Sequence, residues 1–471
     1  MTIYSLNKSA CRVTLMKIPQ TPPNIESYLA QLDSREAMSK VGKLFSASLG
    51  PYDSKGRYLP WDKLRHLTPP EGYDPELFWL AIRQSRTQLS KALPFHDKAG
   101  KPISFCMPDG VVRDLLWIEK NSTGAIVVDE QITDEKTKRT YLIGSLIEEA
   151  ISSSQLEGAS TTRRQAKEML RTGREPQDHS EQMIRNNHRA MLFIRDYKEE
   201  KLTPSLIFEL HRILTEDTLG PEDMDKAGRF REAADDICVF SEDDVLLHIP
   251  PKASELPQRL QALCDFANHS DGMDSPNYIP TVIRAIVVHF MIGYDHPFVD
   301  GNGRTARALF YWMMAKDHYW LMEYISISRV IKKAPRRYMQ AYLNTETDAN
   351  DVTYFVIHQL EVIREAIRDL HEYLKRRSQR LQEASSLIEN SPLQQVLNHR
   401  QLALLQHALR HPGMEYTIKS HQGSHGTTYQ TSRSDLLKLS DELHLLRKVK
   451  VGKKDLFIAP ADLAEKVKTG P

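Results

Sequence analysis

Between residues 279 and 315 the chain can adopt few local shapes. "IPTVIRAIVVHFMIGY" (279–294) repeats apolar residues at helical spacing, with Ile283, Val287, Phe290, Met291 and Tyr294 on one face. "DHPFVDGNGRTARALF" (295–310) follows, and "TARALFYWMMA" starts a second helix. Gly301 and Gly303 let the backbone turn sharply and point successive N–H groups inward, forming an anion nest. The new helix adds free N–H groups and a positive dipole end at the same place. The feature is therefore a helix, a tight cationic turn and a second helix.

The side chains in that turn point to phosphorus chemistry. Arg304 and Arg307 lie three residues apart and reach the same helix end, which suits a polyphosphate better than one carboxylate. Asp300 offers a hard oxygen of the kind Mg²⁺ on a nucleotide phosphate requires. His296 is a general base near neutral pH. Two other phosphate motifs are poorer fits. Gly301, Gly303 and Ala306 formally match G-x-G-x-x-A, but that fingerprint follows a strand, and here a helical pattern precedes it. The Walker A pattern is not present in the turn.

The chain has 471 residues, enough for about three domains at ~150 residues each. Its net charge of +1 excludes a nucleic-acid binder that is basic overall, so any basic surface is local. Cys11, Cys106, Cys238 and Cys264 are scattered and form no CxxC pair, which argues against a disulfide framework or structural zinc. No signal-type core opens the sequence, and no apolar run reaches the ~18–20 residues of a span. The expectation is a cytoplasmic protein without a membrane partner.

Helical patterns dominate from residue 140 onward: 140–158, 180–200, 203–217, 254–269 and 279–294, many of them opening on Ser or Thr caps. Residues 1–110 read as a Pro-punctuated helical region, with a helix over 74–93. "DICVFSEDDVLLHIPP" (236–251) breaks the rhythm and predicts a hairpin. "SSSQLEG" (152–158) closes the helix that begins near 140. Gly158 serves as its stop, and Glu157 sits at the negative end of the dipole, where a cation would favour it.

"HPFVDGNGRTAR" resembles the Fic-domain signature H-P-F-x-[D/E]-G-N-G-R-x-x-R and matches it at every fixed position: His296, Pro297, Phe298, Asp300, Gly301, Asn302, Gly303, Arg304 and Arg307. The resemblance implies a helical core that transfers AMP from ATP to a Tyr, Thr or Ser hydroxyl of a protein. It implies that His296 is the base, that Asp300 binds Mg²⁺, and that Gly301, Asn302, Gly303, Arg304 and Thr305 surround the phosphates. Arg307 would face the γ-phosphate, and Phe298 would anchor the loop. His289, seven residues upstream, also fits the family. Gly293 stands where the family commonly has glutamate, and Asp295 puts an acid beside His296.

Ser153, Glu157 and Gly158 match the family's inhibitory pattern [S/T]-x-x-x-E-[G/N] upstream of the signature, the class II arrangement. By analogy Glu157 pairs with Arg307 and excludes a productive ATP. "VLLHIPPK" (245–252), with Leu246, Leu247 and His248, resembles the family flap that docks targets by strand addition. "AGRFR" (227–231) matches a further family stretch, and Tyr338 stands where relatives have aromatics near adenine. The similarity covers roughly residues 50–370.

Residues 400–460 read as helix, turn, helix, turn, helix and a short hairpin, with the third helix over about 430–443. Positive charges outnumber negative ones there, and the pattern resembles a winged helix-turn-helix domain of the DNA-reading kind.

The expected architecture is mainly α. It has an N-terminal region (1–110), a Fic core (111–375) with an inhibitory helix (about 140–158) and a flap (about 236–251), a helical linker (376–395) and a winged-helix domain (396–471). The expected function is protein adenylyl transfer with ATP and Mg²⁺, restrained by Glu157. The alternatives are a DNA-binding regulator whose core senses nucleotide, and a de-AMPylase. Expected partners are a target protein with a modifiable hydroxyl, the chain itself as target, duplex DNA through 396–471 and a second copy in a homodimer.

Overall fold

The computed structural model describes residues 17–46, 49–122, 135–241, 243–269, 271–272, 274–451 and 454–469. The chain divides into two compact units, Met1–Ile126 with Glu135–Arg368, and Val127–Asp134 with Asp369–Pro471.

In the first unit, three helices between residues 25 and 64 precede α1 (Pro75–Leu89). Asp74 caps α1 by accepting from Leu77 N, with Pro75 in the first turn. The expected helix over 74–93 stops at Leu89. Strands β1 (Ser90–His96) and β2 (Pro102–Cys106) form an antiparallel hairpin, so the region is not all helical. The cause is local. Asp97 Oδ1 accepts from Ala99 N and Lys101 N, Gly100 takes φ +78°, and Pro94 cannot continue a helix.

Next come α2 (Asp109–Ser122), α3 (Glu135–Leu156), α4 (Arg163–Thr172), α5 (His179–Asp196) and α6 (Pro204–Thr215). Thr162, Asp178 and Thr203 cap α4, α5 and α6. The predicted hairpin is present but short, β3 (Val239–Phe240) against β4 (Leu246–His248).

After α7 (Leu256–Asn268), helices α8 (Thr281–Asp295) and α9 (Asn302–Lys316) form the centre of the unit. Every residue of α8 but Thr281 and Gly293 is buried, and every residue of α9 but Gly303 and Lys316. A helix buried on all sides must be enclosed by neighbours, and α3, α5, α6, α7 and the segment 320–324 supply them. Helices α10 (Ile327–Lys333), α11 (Pro335–Thr347) and α12 (Thr353–Glu389) follow.

The second unit, beyond the end of α12, holds α13 (His399–Arg410), β5 (Glu415–Tyr416), α14 (Ile418–His425), α15 (Tyr429–Leu437), β6 (Arg447–Val451) and β7 (Lys454–Ile458), with strand order β5-β7-β6. The expected helix over 430–443 ends at Leu437 and runs into a wider turn, Lys438–Glu442. Only three residues join α14 to α15. Gly426 closes the first in the left-handed region, and Thr428 caps the second through Thr431 N. Asp435 holds the helices together, accepting from Asn398 Nδ2, Arg400 Nε, Gln401 Nε2 and His421 Nε2. Those donors, Arg400 first among them, hold its carboxyl at about 2 although burial opposes them. Among the described residues, no helix is long and apolar enough to cross a membrane.

Candidate active site

The loop between α8 and α9 is held from three sides. His296 ends α8 in the left-handed region (φ +45°), an uncommon place for a residue with a Cβ. Arg231, the last residue of the AGRFR stretch, fixes it there. Its Nε donates to His296 O at 2.7 Å, its Nη2 to Pro251 O at 2.5 Å, and its backbone N to Pro297 O at 2.9 Å. Sequence reasoning left that stretch without a role, and the structure makes it the clamp on the backbone of the histidine.

His211 is the second hold, and it was missed in the sequence. Its Nδ1 accepts from Gly228 N at 2.9 Å, so its proton is on Nε2, which donates to Asp300 O at 2.8 Å. The ring stacks on Phe298 at 3.8 Å, and Phe298 is fully buried. Burial holds the His211 imidazole down at about 4, so it stays neutral and keeps this tautomer.

The third hold is internal. Asn302 Nδ2 donates to Phe298 O at 2.8 Å, and its Oδ1 accepts from Phe298 N at 3.0 Å. Arg304 is buried and donates to Leu214 O at 3.0 Å and to Asp300 Oδ2 at 2.9 Å. Thr305 donates its hydroxyl to Gly301 O. The sequence reading gave all three a direct hold on phosphate. All three are buried, and their side chains brace the loop, with Arg304 also tying it to Leu214 O. The backbone offers an anion a further surface. Gly301 (φ +78°) begins α9 without a side-chain cap, so the first N–H groups of the helix stay open.

His296 donates from Nδ1 to Gly293 O at 3.2 Å, which leaves Nε2 as the free basic nitrogen. Burial holds the ring down at about 4, so it is neutral at physiological pH. Asp295 does not pair with it. The Asp295 carboxylate meets Arg259 at 2.7 Å, and burial raises its carboxyl to about 6. A Cβ on Gly293 would overlap the Tyr342 hydroxyl, so a larger residue there needs that ring to move.

Arg307 is buried and faces α3. Its Nε donates to Ser153 Oγ at 2.9 Å, and its Nη2 to Ser153 O at 3.1 Å and to Glu157 Oε1 at 2.8 Å. The Glu157 carboxylate also lies over Gly303, where any Cβ would overlap it. It therefore sits above the uncapped start of α9, where an anion is favoured. Gly158 (φ +96°) ends the segment, and the bonds Ala159 N→Ser154 O and Gly158 N→Gln155 O close a Schellman turn that fixes the Glu157 backbone.

Two turns earlier on the same helix, buried Glu149 accepts from Tyr311 Oη at 3.0 Å, Ser326 Oγ at 2.7 Å, Ser328 N at 3.1 Å and Ser328 Oγ. His289 is buried in α8, with Nε2 2.8 Å from the hydroxyl of Tyr338, whose neighbour is the Arg307 guanidinium. Of the three flap residues, Leu246 is exposed and Leu247 half-buried, but His248 turns inward. Its Nε2 reaches Tyr294 O and its Nδ1 reaches Glu346, each at 2.7 Å.

Residues 201–314 match the Fic/DOC family. Over that stretch the chain is similar to Fic-domain proteins. It is 35% identical over 112 residues to the protein adenylyltransferase Fic of Nematostella vectensis, covering 24% of this chain and 22% of that protein. It is 31% identical over 173 residues to that of Drosophila virilis, covering 35% and 32%. The chain thus spans about a third or less of the length of these relatives. A Fic family protein from Desulfovibrio desulfuricans shares the fold, with a TM-score of 0.50, 18% identity, and 75% of this chain and 97% of that one covered.

Proposed function

We propose that this protein transfers AMP from ATP to a hydroxyl of a protein, and that Glu157 restrains the transfer. One arrangement carries the reading. A neutral histidine with a free Nε2 flanks an uncapped helix start whose guanidinium is held by a carboxylate from another helix.

In the reaction, the acceptor oxygen attacks the α-phosphorus and the Pα–O bond to the β-phosphate breaks. Pyrophosphate leaves, and the hydroxyl proton passes to His296 Nε2. The open N–H groups of α9 and Arg307 bind the phosphates. Glu157 lies over the same helix start and holds the same guanidinium, so ATP and Glu157 compete for that place. Asp300 fits a Mg²⁺ held mainly by phosphate oxygens, because it is one half-exposed carboxylate steadied by Arg304. Such an ion would neutralise phosphate charge. The test is labelling with radioactive ATP. Glu157→Gly should label itself and targets faster than wild type, and Asp300→Ala should lose all Mg²⁺-dependent labelling. Equal rates for wild type and Glu157→Gly would remove the inhibitory role.

A second reading concerns residues 396–471, which we read as a winged helix that binds duplex DNA. The exposed face at the start of α15 presents Tyr429, Gln430 and Arg433, and the β6–β7 hairpin exposes Arg447, Lys448, Lys450 and Lys454. That is one element shaped for a groove beside another charged for phosphates. Binding of the full chain to a duplex should fall steeply with salt. Salt-insensitive or undetectable binding would exclude DNA.

A further inference from the structure

We infer that the β3–β4 flap selects its target by side chains, taking an extended segment with a large apolar residue and lysine or arginine near the acceptor hydroxyl. The inference rests on the transferase reading above and names the chemistry of its protein substrate.

The flap is anchored beside the base. His248 ties β4 to Tyr294 O, two residues before His296. Arg231 bonds both Pro251 O, just past β4, and His296 O. Lys98 Nζ donates to Ile249 O at 3.3 Å. A segment lying on this hairpin is therefore next to the nitrogen that must take its proton.

The outer surface of the flap is apolar. Phe240 is 55% exposed, Leu246 39% and Ile249 47%. Phe240 and Leu246 are direct cross-strand partners, so their side chains form one patch rather than isolated exposures. Within-fold packing does not require them outside, since His248 on the same strand shows that the hairpin can bury a side chain. A contiguous exposed apolar patch beside a reactive group is the mark of a docking surface.

Charge sets the other requirement. From Glu232 to Ile249 the sequence has six acidic residues and no lysine or arginine. Asp235 is neutralised by Lys226 at 2.5 Å. Asp236 and Asp244 are exposed, and Asp243 is half-buried at the hairpin tip. An acidic target segment meets like charge there, and a basic one is attracted, so the flap both favours one class and repels the other. The occupant is thus a protein segment of basic and apolar character rather than any extended chain.

Four fluorescent peptides with the same central Ser, Thr and Tyr acceptors, flanked by Leu/Lys, Ser/Lys, Leu/Glu or Ser/Glu, test this by titration with the full chain. The Leu/Lys peptide should bind about tenfold or more tighter than Ser/Glu, a preference that weakens with salt. Phe240→Ser with Leu246→Ser should erase the Leu preference, and Asp243→Lys with Asp244→Lys should reverse the charge preference, with ATP affinity unchanged. Equal binding of the four peptides overturns the inference. So does a preference that survives both double variants, or a dimer of this chain that buries Phe240 and shuts the peptides out. Labelling of the same peptides by the Glu157→Gly protein separates the two claims. Peptide preference without labelling sinks the transferase reading alone, and labelling without preference sinks the docking inference alone.

Discussion

Glu149 lies within α3 and Glu157 just past its end, eight residues apart, and both reach the signature helix or its surroundings. Glu149 is 2% exposed and satisfied by hydroxyls and a backbone N–H, a set of donors that nothing diffusible can imitate. Glu157 has a side chain 28% exposed and meets one guanidinium above an open helix start, the two features a phosphate also seeks. The first attachment is structural, and the second can be contested by ligand. The Schellman turn, with Ile151 and Ala159 buried in a common cluster, keeps the backbone between them in place. On the proposed inhibitory reading, relief would be a movement of the Glu157 side chain rather than departure of the helix.

The largest expected effect tests what the exposed carboxylate restrains. In a Glu157→Gly background, His296→Ala should lower the labelling rate by roughly 10²–10⁴-fold while ATP binding persists, since a base acts in the chemical step. Labelling that continues would mean Glu157 guards some other chemistry. Next, Glu157→Gly alone should raise the initial rate on the order of tenfold or more, the factor that ~1.4 kcal/mol of lost competition gives. Arg307→Ala should not imitate it, because that change removes the phosphate contact together with the restraint. Initial rates for both single variants and the double variant decide the point.

Stability should rank the two glutamates in the opposite order. Glu149→Ala strands several buried donors and should cost about 3 kcal/mol in denaturant unfolding, whereas the partly solvated Glu157 pair should cost about 1 kcal/mol or less. Equal costs would erase the distinction.

The smallest effect is in pH. His211 and His296 sit at about 4 in the folded protein against 6.5 for the free side chain. The unfolded chain takes up protons first, so stability falls as pH drops from 6.5 towards 4. Asp295, raised from 3.8 to about 6, and Asp348, also raised by burial, work the other way, but His289 and His358 are held down by burial as well and add to the decline. Melting temperature should therefore decline over that window, and His211→Gln should flatten the decline.

Reading the sequence located the loop because its chemistry is contiguous: one base, one carboxylate, two glycines and two arginines within twelve residues. It paired Glu157 with Arg307, 150 positions apart, only through the resemblance. Glu149 escaped notice because a buried glutamate and an exposed one look alike in a string. His211 and Arg231 escaped because they act through backbone carbonyls, and no side-chain motif records which carbonyl a ring nitrogen will meet. The resemblance assigned Asn302, Arg304 and Thr305 to the ligand, and the bracing bonds they also make are visible only in the folded loop. The hairpin at 90–106 was hidden by the strong helical pattern of α1 running into it, although Pro94 and the Asp97–Gly100 turn were in view.

Gly293 carries a consequence for substitution. Its missing side chain is the space that the Tyr342 hydroxyl fills, so neither position can be judged alone. A residue with a Cβ at 293 needs the Tyr342 ring to move or to be made smaller, and the pair is therefore varied together or not at all.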